Sequence, residues 1–226
     1  MIIMGFAEAG SLRNILSNNF KTILWEDRIR ILGHLALGLR NMRELGYFHK
    51  NLHSGNILVH YDKYGRYLNV KISDFGLSGP ANEQKCDSKI YGVLPYIAPE
   101  VLNGEPYTLS SDIYSFGVIM AELSSGKPPF YDKKHNLNLA LAICNGLRPE
   151  FGKGTPEIYK KLAYRCMNAD PNQRHHRRGL ADVGAELAIF SGAHSCESGK
   201  AIAAYSGRRA RPFHFAPGIR NRTGRK

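Results

Sequence analysis

Three short blocks of this 226-residue chain concentrate side chains able to bind cations or move protons. The first runs His49-Lys50-Asn51-Leu52-His53-Ser54-Gly55-Asn56. The second, Asp74-Phe75-Gly76, begins eighteen residues after Asn56, and the third is Ala98-Pro99-Glu100. A carboxylate such as that of Asp74 and an amide oxygen such as that of Asn56 are hard ligands. They suit a magnesium ion that keeps most of its water. Asn51 differs in kind: its amide oxygen accepts a hydrogen bond but takes no proton at physiological pH. The four cysteines, Cys86, Cys144, Cys166 and Cys196, form no C-x-x-C pair. Reduced structural thiols are therefore expected rather than a thiolate metal site.

In this order and spacing the blocks resemble the catalytic loop, metal-binding loop and A-P-E segment of protein kinases, whose first two patterns run H-R-D-x-x-x-x-N and D-F-G. The resemblance covers about residues 2–174. Leu52-His53-Ser54-Gly55-Asn56 and the run from Ala121 to Phe130 look most like the tyrosine-kinase-like group. The activity it implies is ATP-dependent phosphorylation of protein hydroxyls, with ATP and magnesium as cofactors and a protein as substrate. By the same resemblance the catalytic positions are Lys50, Asn51 and Asn56, and the metal ligands are Asn56 and Asp74. Met4 takes the gatekeeper position, and Gly5, Phe6 and Ala7 form the hinge beside the adenine. Leu58 lies beneath the base, and Asp74 completes the cofactor set. His49, Phe75 and Gly76 are structural. Asp112 is expected to accept backbone N–H bonds near His49, although its place in a helix's first turn would also suit its charge. Glu100 and Arg174 are expected to form a buried ion pair, the kind whose rupture costs ~3–5 kcal/mol.

Several positions depart from the family pattern. Asn51 stands where the family carries the Asp that accepts the substrate's proton, and such a group typically contributes ~10²–10⁴ in rate. Lys50 replaces an Arg, which keeps the charge and loses the bidentate fork. His53 and Val93 occupy positions where serine/threonine kinases often carry Lys and Thr. Ser78, Ser88 and Tyr91 are hydroxyls between Asp74 and Ala98 that are open to phosphorylation, or simply exposed loop residues.

The expected fold is mainly α, a kinase-like large lobe with short β-hairpins. Residues 1–10 are read as a remnant hinge strand, with residues 2–7 extended, and residues 11–174 as the lobe. Residues 175–190 are read as a divergent weak helix and residues 191–226 as a disordered basic tail. Ser11 is expected to cap a helix to about Ser17. Ile29, Leu32, Ala36, Leu39 and Met42 recur at three- and four-residue steps within Trp25–Leu45, which predicts a helix of about five turns. Ile57–His60 and Tyr67–Ile72 read as strands about a Tyr64-Gly65 turn. Further helices are expected over Ile113–Leu123, Leu137–Cys144 and Pro156–Met167. The small lobe, with its G-x-G-x-x-G loop, strand Lys and partner Glu, is expected to be missing. Val70-Lys71-Ile72 stands directly before Asp74 and is not that strand.

No run of about 18 apolar residues occurs, so a membrane span is not expected. Nor does the start resemble a signal peptide, and a cytoplasmic location follows. The net charge is +12, of which residues 175–226 carry +7. Nucleic acid is therefore an expected partner only non-specifically, through the basic tail. The function expected is that of an impaired, pseudokinase-like member of the family. The alternatives are a non-catalytic lobe that docks substrates, other kinases or scaffolds, and a non-functional gene fragment.

Overall fold

Helix starts and apolar spacing account for most of the architecture. The computed structural model describes residues 6–61, 67–80 and 90–174. Helix α1 (Leu12–Asn19) begins where the Ser11 side chain accepts the Asn14 N–H at 3.4 Å, satisfying one of the unpaired donors of a first turn. Helix α2 (Trp25–Glu44) buries Ile29, Ile31, Leu32, Leu35, Ala36 and Leu39. The chain then passes through strand β1 (Tyr47–Phe48) and the candidate loop, whose end is a 3-10 turn over Ser54–Asn56. Strand β2 (Ile57–Tyr61) follows at once and pairs antiparallel with β3 (Tyr67–Ile72), Ile57 opposite Ile72 and Val59 opposite Val70. Ile57 and Val59 are fully buried, Leu58 and His60 half-buried, as alternation across a half-covered sheet requires.

Strand β4 (Gly79–Pro80) returns to β1, Phe48 opposite Gly79. Helix α3 (Pro99–Leu102) carries Glu100, and α4 (Leu109–Ser125) runs through the centre of the lobe. Every residue of α4 from Ser110 to Ser124 is buried, so it serves as the post on which the other elements pack. Fully burying a Leu, Ile or Phe side chain stabilises by ~1.5–3 kcal/mol, and α4 contributes Ile113, Phe116, Ile119 and Leu123. Helix α6 (Glu157–Cys166) reaches it over Gly117, where a Cβ would lie 2.7 Å from Met167 Cγ. Gly126 ends α4 at φ 71°, a left-handed conformation that favours glycine, with the Phe20 ring against it. Helix α5 (Leu137–Cys144) packs on α3.

Within the described residues the expected helices and the β2–β3 hairpin are present within a residue or two, except that α4 begins at Leu109, four residues before the expected Ile113. The expected strand over residues 2–7 is not paired into a sheet in its described part: Phe6 and Ala7 belong to no strand, and the Gly10 N–H turns back to Ala7 O at 3.0 Å. A strand needs a neighbour for its backbone groups; here the chain instead makes a single bridge, Ser11 to Leu58, with Val59 N donating to Gly10 O at 2.9 Å. Strands β1 and β4 and helix α3 were not anticipated, because two to four residues are too few to show a period. Met4, Gly5, Cys86, Ser88, the Tyr64-Gly65 turn, the weak helix and the basic tail lie outside the described residues. Cys144 and Cys166 are free thiols. Among the described residues no helix is long and apolar enough to cross a membrane.

Candidate active site

The loop from His49 to Asn56 is held from below by α4. Asp112, in the helix's first turn and almost fully buried, accepts the His49 N–H at 2.7 Å and the Lys50 N–H at 3.0 Å. Burial pushes the Asp112 carboxyl up, while these donors and the neighbouring His49 and Lys50 pull it down. The two bonds hold Lys50 at φ 67°, a left-handed conformation costing an L-residue about 1–2 kcal/mol. His49 is buried and makes two ring contacts. Nδ1 accepts the Asn51 N–H at 3.3 Å, so the ring proton resides on Nε2, which donates to Ser73 O at 3.0 Å. One imidazole thus ties the loop to the end of β3, directly before Asp74.

The two proposed cation ligands meet at that junction. Asn56 Nδ2 donates to Asn51 O at 3.0 Å and to Asp74 Oδ2 at 3.4 Å. Asn56 O accepts both the N–H and the hydroxyl of Ser73, at 2.9 and 3.0 Å. With its amide donors engaged, Asn56 retains Oδ1 for coordination beside an exposed carboxylate. Such an all-oxygen donor set suits a magnesium ion. Asp74 sits at φ 63°, a conformation Asp tolerates better than most residues, and its Oδ1 accepts the Gly76 N–H at 3.4 Å. The Phe75 ring lies 5.6 Å from His49, and more than half of it is exposed. Of the expected adenine contacts, Leu58 is half-buried in β2, Ala7 is half-buried, and Phe6 is 81% exposed.

Asn51 points the other way, toward the segment that precedes α3. Its Oδ1 is buried without a hydrogen-bond partner among the described residues. A cavity of about 10 Å³ lies here, lined by Lys50, Asn51, Gly92, Val93, Tyr107 and Asp112 among others, room for about one water molecule. Val93 brings no hydroxyl to it. The Tyr107 hydroxyl donates to Tyr91 O and fastens this stretch from outside.

A family of known proteins matches the chain over this region. Residues 1–182 match the model of the protein tyrosine and serine/threonine kinase family. The chain belongs to that family. It is 31% identical over 175 residues to a probable serine/threonine-protein kinase of Dictyostelium discoideum, covering 77% of this chain and 10% of that protein. A second probable serine/threonine-protein kinase of the same organism is 33% identical over 181 residues, 76% of this chain and 10% of that protein. A putative serine/threonine-protein kinase/receptor of Acanthamoeba polyphaga mimivirus is 29% identical over 192 residues, 84% and 11% respectively. The chain thus spans about a tenth of the length of these relatives.

Two further sets of contacts brace the candidate site. Arg174 is fully buried and bidentate to Glu100, at 2.6 and 2.8 Å, and also donates to Ser110 O, Asn168 O and Ala169 O. The second set escaped sequence reasoning. Glu122, on α4, accepts the Ser54 hydroxyl at 2.8 Å and the Tyr96 hydroxyl at 2.6 Å, and Arg13 Nε donates to Ser54 Oγ at 3.3 Å. The available signal was a lone acidic residue within the apolar run from Ile113 to Leu123.

Proposed function

We propose that this chain forms the large, catalytic-loop-bearing lobe of a tyrosine-kinase-like protein kinase whose phosphotransfer is impaired at Asn51. The observation that carries the reading is the state of that residue. Its Oδ1 lies buried beneath Gly92 and Val93 and, among the described residues, has no partner, while Asn56 and Asp74 meet on the other side of the loop. Asn56 and Asp74 would hold magnesium with ATP, and the bound ion would neutralise charge on the transferring phosphoryl group. Asn51 can orient a substrate hydroxyl by accepting its hydrogen bond only once its Oδ1 turns out from beneath Gly92 and Val93, and no atom of its amide takes the proton. Asp112 and His49 keep the loop in register for this contact, and Lys50 supplies positive charge beside it. The names of the relatives favour serine and threonine as acceptors.

The test is phosphate transfer from radiolabelled ATP with magnesium to a general protein substrate. The native chain should run near background, and Asn51→Asp should raise the rate by roughly 10²-fold or more. Asp74→Ala should abolish what activity remains. A native rate equal to that of Asn51→Asp would overturn the assignment of Asn51 as the obstacle. A non-catalytic docking role is the second reading, favoured by Leu137 and Leu141, which lie exposed on α5.

A further inference from the structure

Glu122 is a costly residue to keep. It is 2% exposed, and among the described residues neither of its oxygens forms an ion pair with a lysine or arginine. The nearest positive charge with a described effect, Arg13, donates to the Ser54 hydroxyl and acts on the carboxylate through space. A buried carboxylate is tolerated when hydrogen bonds replace its lost water, and here the two replacements come from different parts of the site. Ser54 opens the 3-10 turn that ends at Asn56, the residue bonded to Asp74. Tyr96 closes the turn Leu94–Tyr96, in the stretch that lies over Asn51. Ser54 and Tyr96 are 42 residues apart, yet their hydroxyls donate to the two oxygens of one carboxylate and stand 3.3 Å from each other. Tyr96 is braced in turn by Ser115, whose hydroxyl donates to its carbonyl at 2.8 Å. Because both hydroxyls donate to Glu122, releasing either frees its turn to move relative to the other.

The geometry assigns Glu122 as a positioning residue, one that couples the cation-facing turn Ser54–Asn56 to the segment Leu94–Ala98 through the hydroxyls of Ser54 and Tyr96. What is positioned rests on the functional reading above; the coupling itself does not. Without it, the cation-holding half of the site and the half that receives the acceptor would be free to drift apart, and phosphoryl transfer depends above all on relative placement.

Amide hydrogen exchange on the full chain tests this. The amides to follow are those of Asn56 and Ser73, which donate to His53 O and Asn56 O, and those of Tyr96 and Ile97, which donate to Val93 O and Leu94 O. Tyr96→Phe is expected to speed exchange at Asn56 and Ser73 roughly tenfold, and Ser54→Ala to do the same at Tyr96 and Ile97. In the double variant the two effects should fall well short of additive, since either change alone already breaks the link. Glu122→Leu should reproduce both; if that variant does not fold, the hydroxyl variants and their combination decide alone. Acceleration confined to the substituted residue's own turn would overturn the proposal, as would simple additivity. Exchange needs neither nucleotide nor metal, so an Asn51→Asp variant that stays at background in phosphate transfer would sink the functional reading and leave the coupling standing.

Discussion

His53 shows how a single ring in this site reports on its surroundings. Its imidazole packs against Tyr96 at 5.9 Å, and its Nδ1 accepts the Gly55 N–H at 3.1 Å. Burial, helped by the nearby Arg13 and His49, holds its pKa down, to about 4. An unfolded histidine titrates near 6.5. Between those values the unfolded chain binds a proton that the folded chain refuses, so stability is lost as pH falls through that window. Above about pH 7 the contribution is constant. The expected outcome is a melting temperature that falls between pH 7 and pH 5 more steeply in the native protein than in His53→Gln. Parallel curves for the two proteins would show that His53 remains free to protonate.

At the level of elements, α4 and the ion pair beside it decide how the segment before α3 is anchored. Asp112 holds the loop through two backbone donors, and Arg174 holds α3 through Glu100. The Arg174 guanidinium also lies over the Tyr114 ring, 5.1 Å from its centre, so it is packed as well as paired. Glu100→Gln leaves that buried cation without its counter-charge, and urea unfolding should show a loss of ~3–5 kcal/mol. Replacing both partners, Glu100→Met with Arg174→Met, should cost distinctly less, because no charge is then left buried. A double variant as unstable as Glu100→Gln would mean that the pair's geometry, rather than the stranded charge, carries the anchorage.

Charge is distributed unevenly over the whole molecule. Residues 191–226 hold eight Lys and Arg against one acidic residue, +7 of a net +12, and they lie outside the described residues. The buried core of the described lobe is built from residues 12–167. Deleting residues 191–226 is therefore expected to leave the helical circular-dichroism signal nearly unchanged while removing most binding to heparin. That binding should weaken steeply between low and moderate salt, as it does when basic side chains release condensed counterions. Collapse of the helical signal on deletion would show that the lobe needs this segment.

What the sequence determined by itself was whatever depends on neighbours along the chain. The three- and four-residue recurrence of Ile29, Leu32, Ala36 and Leu39 marks a helix because one helical turn brings those positions to one face. The Asn51–Asn56 and Asp74–Gly76 blocks were legible because their chemistry sits within a few consecutive residues. The same locality explains what was missed. Phe48 pairs with Gly79, and Ser54 and Tyr96 share Glu122, across gaps of 26 to 68 residues, and even the lone acidic residue in its apolar run does not say which partners it meets. The isolation of Asn51 Oδ1 could not be read from Asn51 at all. It arises because Gly92 and Val93 fold over the loop and offer that oxygen no donor. Contacts of that kind are decided by how helices pack around α4. Packing is a property of the whole volume filled, not of any stretch of sequence.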